Sequence, residues 1–277
     1  MTVSTIGRYQ VESEIAQGGM GVIFLARDPY IQRQVVVKVL MYSRTLEDVY
    51  REFFQQEAEV IAALEHPCIV PIYDFGWHGE QPYIVMRHMS GGSLDDHLRK
   101  AEVKLTDMAH ILKRVSDALD AAHARNIIHR DVKPSNILFD STGEAFLSDF
   151  GIAKSQKISD EDGEEYMVGT PAYMSPEQIK GGRLDGRSDV YAMGVVLYRL
   201  LTGQLPFSSN STTGLINAHV NMPVPDVRLV KANIPAVWQE VISKAMAKDP
   251  SDRYATAGDF ARDVNEVVSG KWFLRKL

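Results

Sequence analysis

Between residues 9 and 42 the chain is rich in β-branched and aromatic residues, broken by Gly18-Gly19 and Asp28-Pro29, which predicts hairpin-linked strands. From 47 to 64 the spacing changes: Val49, Phe53, Val60, Ile61 and Leu64 recur with helical periodicity, so one helix interrupts the strands. Strands are expected to resume at 69–75 and 83–86. Beyond Gly91-Gly92 the pattern becomes helical. Thr106 is placed to cap a helix whose apolar face carries Met108, Ile111, Leu112, Val115, Leu119 and Ala122, and similar patterns return at 188–202, 235–247 and 256–268. A mainly β part therefore precedes a mainly α part: about 9–86 and 92–268, a joint at 87–91, and a short basic and aromatic tail at 269–277. The longest apolar run, 190–198, is bounded by Asp189 and Arg199. It falls far short of the roughly 20 residues that span a bilayer and reads as a buried helix.

With 277 residues the chain is long enough for one large domain or two packed lobes, and its 45% hydrophobic and 24% charged residues are those of a folded globular protein. The net charge of -6 argues against a nucleic-acid binder. Cys68 is the only cysteine, so neither an internal disulfide nor a cysteine-based zinc site can form. That fits a reducing compartment, and a cytoplasmic location is expected. The first residues do not read as a secretory signal. The tail around Trp272 leaves open that this is the cytoplasmic part of a longer, membrane-anchored protein.

The candidate chemistry sits in four places. Residues 15–26 put glycines between two strands, where backbone N–H groups can approach phosphate oxygens, although alone this is a common hairpin. Lys38 lies in the apolar strand 35–40, where a cation is costly to bury without a carboxylate or phosphate partner. Glu57, flanked at i±4 by Phe53 and Ile61, is its natural partner. The run 129–136, HRDVKPSN, is more specific: Asp131 can orient a hydroxyl and accept its proton, Lys133 can neutralise phosphoryl charge, and Asn136 can offer an oxygen to a hard cation. Asp149, in a Ser-Asp-Phe-Gly turn after the apolar 145–147, gives a second carboxylate, one that can hold metal between phosphates.

Taken together, these motifs resemble the protein kinase family from about residue 9 to 268, most closely its bacterial eukaryotic-like (Hanks-type) Ser/Thr branch. The resemblance implies an α+β bilobal protein kinase fold, with a small mainly antiparallel β lobe carrying one helix and a larger helical lobe. Lys38 then matches the strand lysine, Glu57 its helix partner, Asp131 the catalytic aspartate, and Asn136 and Asp149 the two metal ligands. The nucleotide phosphates are expected at Ala16, Gln17, Gly18, Gly19, Met20 and Gly21. The adenine is expected among Val22, Val36, Met86, His88, Met89 and Leu138, with the hinge at 87–89. The implied cofactors are ATP and magnesium, with manganese as a substitute. Lys133 and Thr170 match the Ser/Thr pattern, so protein substrates and autophosphorylation are implied. Relatives also make a homodimer through the small lobe an open expectation.

Further positions follow from the same resemblance. Glu177 in GTPAYMSPEQ should pair with Arg253, Asp189 should hold the catalytic loop's backbone, and Ile61, Ile72, His129 and Phe150 should belong to an apolar stack, making His129 a packed residue and not a base. Cys68 is expected to be a packed hydrophobe. Arg130 implies control by phosphate on the activation loop. The hydroxyls between Gly151 and Gly169 are Ser155, Ser159 and Tyr166, beside the acidic stretch 160–165: Ser159 is a candidate autophosphorylation site, these carboxylates standing partly for phosphate opposite Arg130 is the alternative, and a solvated acidic loop is the plainer reading. Two positions depart from the family: Ala16 stands for the first glycine of the phosphate loop and Val36 for an alanine over the adenine. The competing readings are a nucleotide-binding scaffold without transfer and a small-molecule kinase of related fold. The complete set of chemical residues opposes the first, and the 169–177 segment opposes the second.

Overall fold

The β-branched strand at 33–40 sits in the middle of a sheet, and its neighbours follow from hydrogen-bond pairing. In the computed structural model, which describes residues 4–18, 21–40, 47–100, 103–150, 158–159, 165–166 and 171–272, the chain divides into two compact units, Met1–Ser90 and Gly91–Leu277. The first carries one six-stranded antiparallel sheet, β1 (Thr5–Ile6), β2 (Tyr9–Gly18), β3 (Gly21–Asp28), β4 (Arg33–Leu40), β5 (Ile72–His78) and β6 (Gln81–Arg87), ordered β1-β2-β3-β4-β6-β5. Val35, Val37 and Val39 alternate inward to join Ile6, Tyr9, Ala26, Tyr83 and Val85 in one core cluster. The helix α1 (Glu47–Ala62) lies between β4 and β5 in sequence and packs on β5, with the Phe54 ring edge-on to Phe75 and Trp77.

The second unit is helical apart from short strand pairs. Its helices are α2 (Leu94–Lys100), α3 (Leu105–His123), α4 (Pro176–Ile179), α5 (Gly186–Thr202), α6 (Thr212–Asn221), α7 (Val227–Val230), α8 (Val237–Ala245) and α9 (Ala257–Val268). Two strands, β7 (Ile137–Phe139) and β8 (Ala145–Leu147), pair antiparallel. Another pair joins β9 (Ile158–Ser159) to β10 (Glu165–Tyr166). Residues 188–198 of α5 are buried on every side, as expected of a helix enclosed by others. It packs against α3, α8 and α9. Both ends of α5 are specified locally: the Asp185 carboxylate accepts from Arg187 N–H at the start, and Gly203 ends it with φ 78°.

Several expected boundaries move. Thr106 does not cap α3, because the Lys104 carbonyl already accepts from Met108 N–H at 2.9 Å, closing the first turn one residue ahead and placing Thr106 inside the helix. The strand expected at 69–75 begins at Ile72: Ile69 and Val70 are buried, but a turn precedes them in which Ile69 N–H donates to the His66 carbonyl. The short helices α2, α4, α6 and α7 carried too little periodic apolar pattern to be read beforehand.

Candidate active site

In the first unit the alternation of β4 sets the candidate nucleotide residues. Its odd positions enter the core, so Val36 and Lys38 face the other way and are half-buried. Lys38 is opposite Ile23 on β3 and Ile84 on β6, while Val36 is opposite Leu25 and Met86. One sheet thus places Val36, Lys38 and the Gly18–Gly21 hairpin in adjoining strands. Gly21 is required by space as well as by its φ of 144°: a Cβ there would lie 2.0 Å from the Val39 carbonyl oxygen. Glu57 is half-buried on α1. Met86 and Met89 are buried and His88 is half-buried. Gly19, Met20 and Thr170 lie outside the described residues, as do the side chains of Phe53, Ser155, Ser159 and Tyr166 and the acidic stretch beside them.

The second unit gathers Asp131, Lys133 and Asn136. The 131–136 segment ends in a single turn, Pro134–Asn136, started by the proline. That turn brings Asn136 Nδ2 to the Asp131 carbonyl at 2.8 Å and to its Oδ2 at 3.1 Å. Lys133 Nζ lies 3.0 Å from the same Oδ2. Asp131 and Asn136 are both buried. Since Nδ2 spends its hydrogens on Asp131, the carbonyl Oδ1 is the atom of Asn136 that a cation would meet.

Arg130, just before Asp131, has φ 64°, a left-handed conformation costing about 1 kcal/mol or more for a residue with a Cβ. It persists because its surroundings fix it. Asp189, 1% exposed on α5, accepts the Arg130 N–H through Oδ1 at 2.9 Å and the His129 N–H through Oδ2 at 2.9 Å. His123 at the end of α3 donates Nε2–H to that Oδ2 at 2.7 Å. The Asp131 N–H donates to His129 Nδ1 at 3.1 Å, so Nδ1 carries no proton and Nε2–H donates to the Ser148 carbonyl at 2.8 Å. With both nitrogens engaged and no exposure, His129 is a packed residue, its ring 4.6 Å from that of Phe150.

Ser148 ties the second carboxylate to this cluster. Its N–H and its hydroxyl both donate to the Asn136 carbonyl, at 2.9 and 3.1 Å, and Asp149 follows with φ 60°, half-buried. Asp is among the few residues that adopt this region readily. Asn136 and Asp149 thus offer two hard oxygen ligands on segments fastened to each other, a donor set that suits magnesium with waters completing its shell. Leu138, between buried Ile137 and Phe139 on β7, points to the opposite face and is half-exposed. Gly91 lies so close to this strand that a Cβ would fall 2.6 Å from the Asp140 carbonyl.

Glu177 and Arg253 form the expected ion pair, with Nη1 to Oε1 at 2.6 Å and Nη2 to Oε2 at 2.7 Å. Ser188 donates to the same Oε1 at 2.7 Å. Burial pushes the Glu177 carboxyl up, but Arg253 and Ser188 outweigh it and hold the group below the usual carboxylate range. Cys68 is buried, as a small hydrophobe would be. His123 and Ser148 were not singled out from sequence. The only signal each carried was its place, one at the end of an apolar helix and one beside the Asp-Phe-Gly turn.

Residues 9–273 match the protein kinase domain family, and the chain belongs to it. It is similar to the serine/threonine-protein kinase PrkC of Bacillus subtilis (strain 168), 35% identical over 259 residues covering 93% of this chain and 40% of that protein. It is also similar to PknJ of Mycobacterium tuberculosis (strain ATCC 25618 / H37Rv), 36% identical over 273 residues covering 96% of this chain and 46% of that protein. Among solved structures, the kinase domain of Mycobacterium tuberculosis PknI is similar with a TM-score of 0.76 at 29% identity, covering 96% of this chain and 99% of that one. Within the family this is a bacterial eukaryotic-like Ser/Thr protein kinase domain of bilobal α+β fold, an ATP-dependent enzyme. The chain spans less than half the length of these two curated relatives.

Proposed function

We propose that this chain transfers the γ-phosphate of ATP to Ser and Thr hydroxyls of proteins, its own included, and that Asp131 positions the attacking hydroxyl. The observation that carries this reading is the cluster of buried Asp131 and Asn136 with half-buried Lys133 on a loop whose backbone is fixed by Asp189. In it Asp131 Oδ2 lies beside the Lys133 ammonium, whose charge can serve the transferring phosphoryl group. Lys38, supported by Glu57, aligns the phosphates beneath the 16–21 hairpin, and Val22, Val36, Met86, His88, Met89 and Leu138 receive the adenine. Asn136 and Asp149 would hold magnesium, or manganese in its place, which would neutralise phosphate charge. Thr170 belongs to the same Ser/Thr-selecting set.

A cytoplasmic setting fits the lone buried cysteine, and no helix among the described residues is long and apolar enough to cross a membrane. A homodimer through the residue 1–90 unit is consistent with exposed Tyr30 and Ile31 at the turn between β3 and β4. Light scattering of the purified chain tests it. Labelled ATP, magnesium or manganese and a basic protein, incubated with the wild type and with Asp131→Asn, test the reaction. Label on Ser and Thr that vanishes in the variant is the expected result. Nucleotide binding without any label would favour a scaffold.

A further inference from the structure

The carbonyl of the peptide between Arg130 and Asp131 is anchored from α4. Gln178 Nε2 donates to the Arg130 carbonyl at 3.0 Å. Gln178 is the third residue of α4, and its other amide atom, Oε1, accepts from Ser175 N–H at 3.0 Å and Ser175 Oγ–H at 3.1 Å, completing a capping box. These bonds fix the orientation of the amide. A backbone N–H must face Oε1 and a backbone carbonyl must face Nε2.

We infer that Gln178 is a positioning residue for Asp131, acting through the Arg130 carbonyl. Asp189 holds the Arg130 N–H and His129 Nδ1 holds the Asp131 N–H. Those two bonds hold the N–H groups on either side of a left-handed residue, and Gln178 supplies a donor to its carbonyl. With that donor removed, the 130–131 peptide can tilt, and the tilt moves the Asp131 carboxylate relative to Lys133 and Asn136. Because α4 directly follows the 171–175 stretch, the same amide fastens that segment to the loop bearing Asp131. The inference rests on the role proposed above for Asp131.

Two substitutions separate positioning from helix capping. Gln178→Glu keeps the acceptor that the capping box needs and sets a carboxylate oxygen against the Arg130 carbonyl. Gln178→Arg keeps a donor and gives up the capping acceptor. With the full chain, ATP and a protein substrate, Gln178→Glu is expected to lower kcat about tenfold with KM for ATP within about twofold and an unchanged melting temperature. Gln178→Arg is expected to recover most of that kcat while melting about 2–4 °C lower. Wild-type kcat in Gln178→Glu overturns the inference, as does turnover that follows melting temperature in both variants. Asp131→Asn is assayed beside them. If it keeps full turnover, the underlying reading of Asp131 has failed. If it is inactive while Gln178→Glu is normal, only the role of Gln178 has.

Discussion

Asp131 makes three kinds of contact: its N–H donates to His129, its carbonyl accepts from Asn136, and its carboxylate carries the chemistry. Its carboxylate meets Lys133 and Asn136, so Asp131→Asn keeps the packing and removes the proton acceptor. A loss of kcat of about 10²–10⁴-fold, with little change in melting temperature, is expected from steady-state and thermal assays. Val36 makes a second prediction at this scale. It shares the outward face of β4 with Lys38 and lies opposite Met86, so two methyl groups stand where the adenine is proposed to sit. Val36→Ala should lower KM for ATP by about threefold or more. An unchanged KM would mean that the valine does not narrow the pocket.

Among the secondary elements, the pair joining α4 to the segment before α9 carries the largest stability prediction. The Arg253 side chain is wholly buried, and it binds Glu177 through two nitrogens and the Arg187 carbonyl through one of them. Arg253→Met leaves Glu177 with no guanidinium, and chemical denaturation should record a loss of about 3–5 kcal/mol. A second prediction concerns His219 on α6, fully buried, with Tyr191 Oη 2.9 Å from its Nδ1. Burial, with the nearby Lys248 ammonium, pushes its pKa down to about 4. In the unfolded chain His219 takes up a proton near pH 6.5, while in the folded one it stays neutral until about pH 4. Its contribution is thus present above pH 6.5 and is lost as pH falls from there towards 4. The loss is on the order of 3 kcal/mol. Melting temperature should fall across that window less steeply in His219→Leu than in the wild type. Helices with strong apolar periodicity, such as α3, α8 and α9, were legible in the sequence because burial dictates spacing, and α5 was legible as a continuous apolar run. Their starts were less so: the backbone bond from Met108 N–H to the Lys104 carbonyl decides where α3 begins, and no side chain announces it.

For the molecule as a whole, the change of character near Gly91-Gly92 was readable because a β-branched run gives way to helical spacing, and the division falls at Ser90 and Gly91. The candidate chemical residues were readable for a different reason. Asp131, Lys133, Asn136 and Asp149 sit close in sequence and are costly to bury without purpose. What the sequence did not disclose is what fixes them: His123 bonds the Asp189 carboxylate 66 positions away, Ser148 the Asn136 carbonyl 12 away and Gln178 the Arg130 carbonyl 48 away, and such contacts leave no spacing rule. The carboxylate of Asp189 has one more consequence. The two amides it holds, at His129 and Arg130, are bonded to a helix buried on all sides. They can exchange with deuterium only when that helix is breached, so their protection should equal that of the slowest amides of α5. Catalytic competence would then be lost in step with cooperative unfolding of the 91–277 unit, and partial opening of its periphery would leave turnover intact.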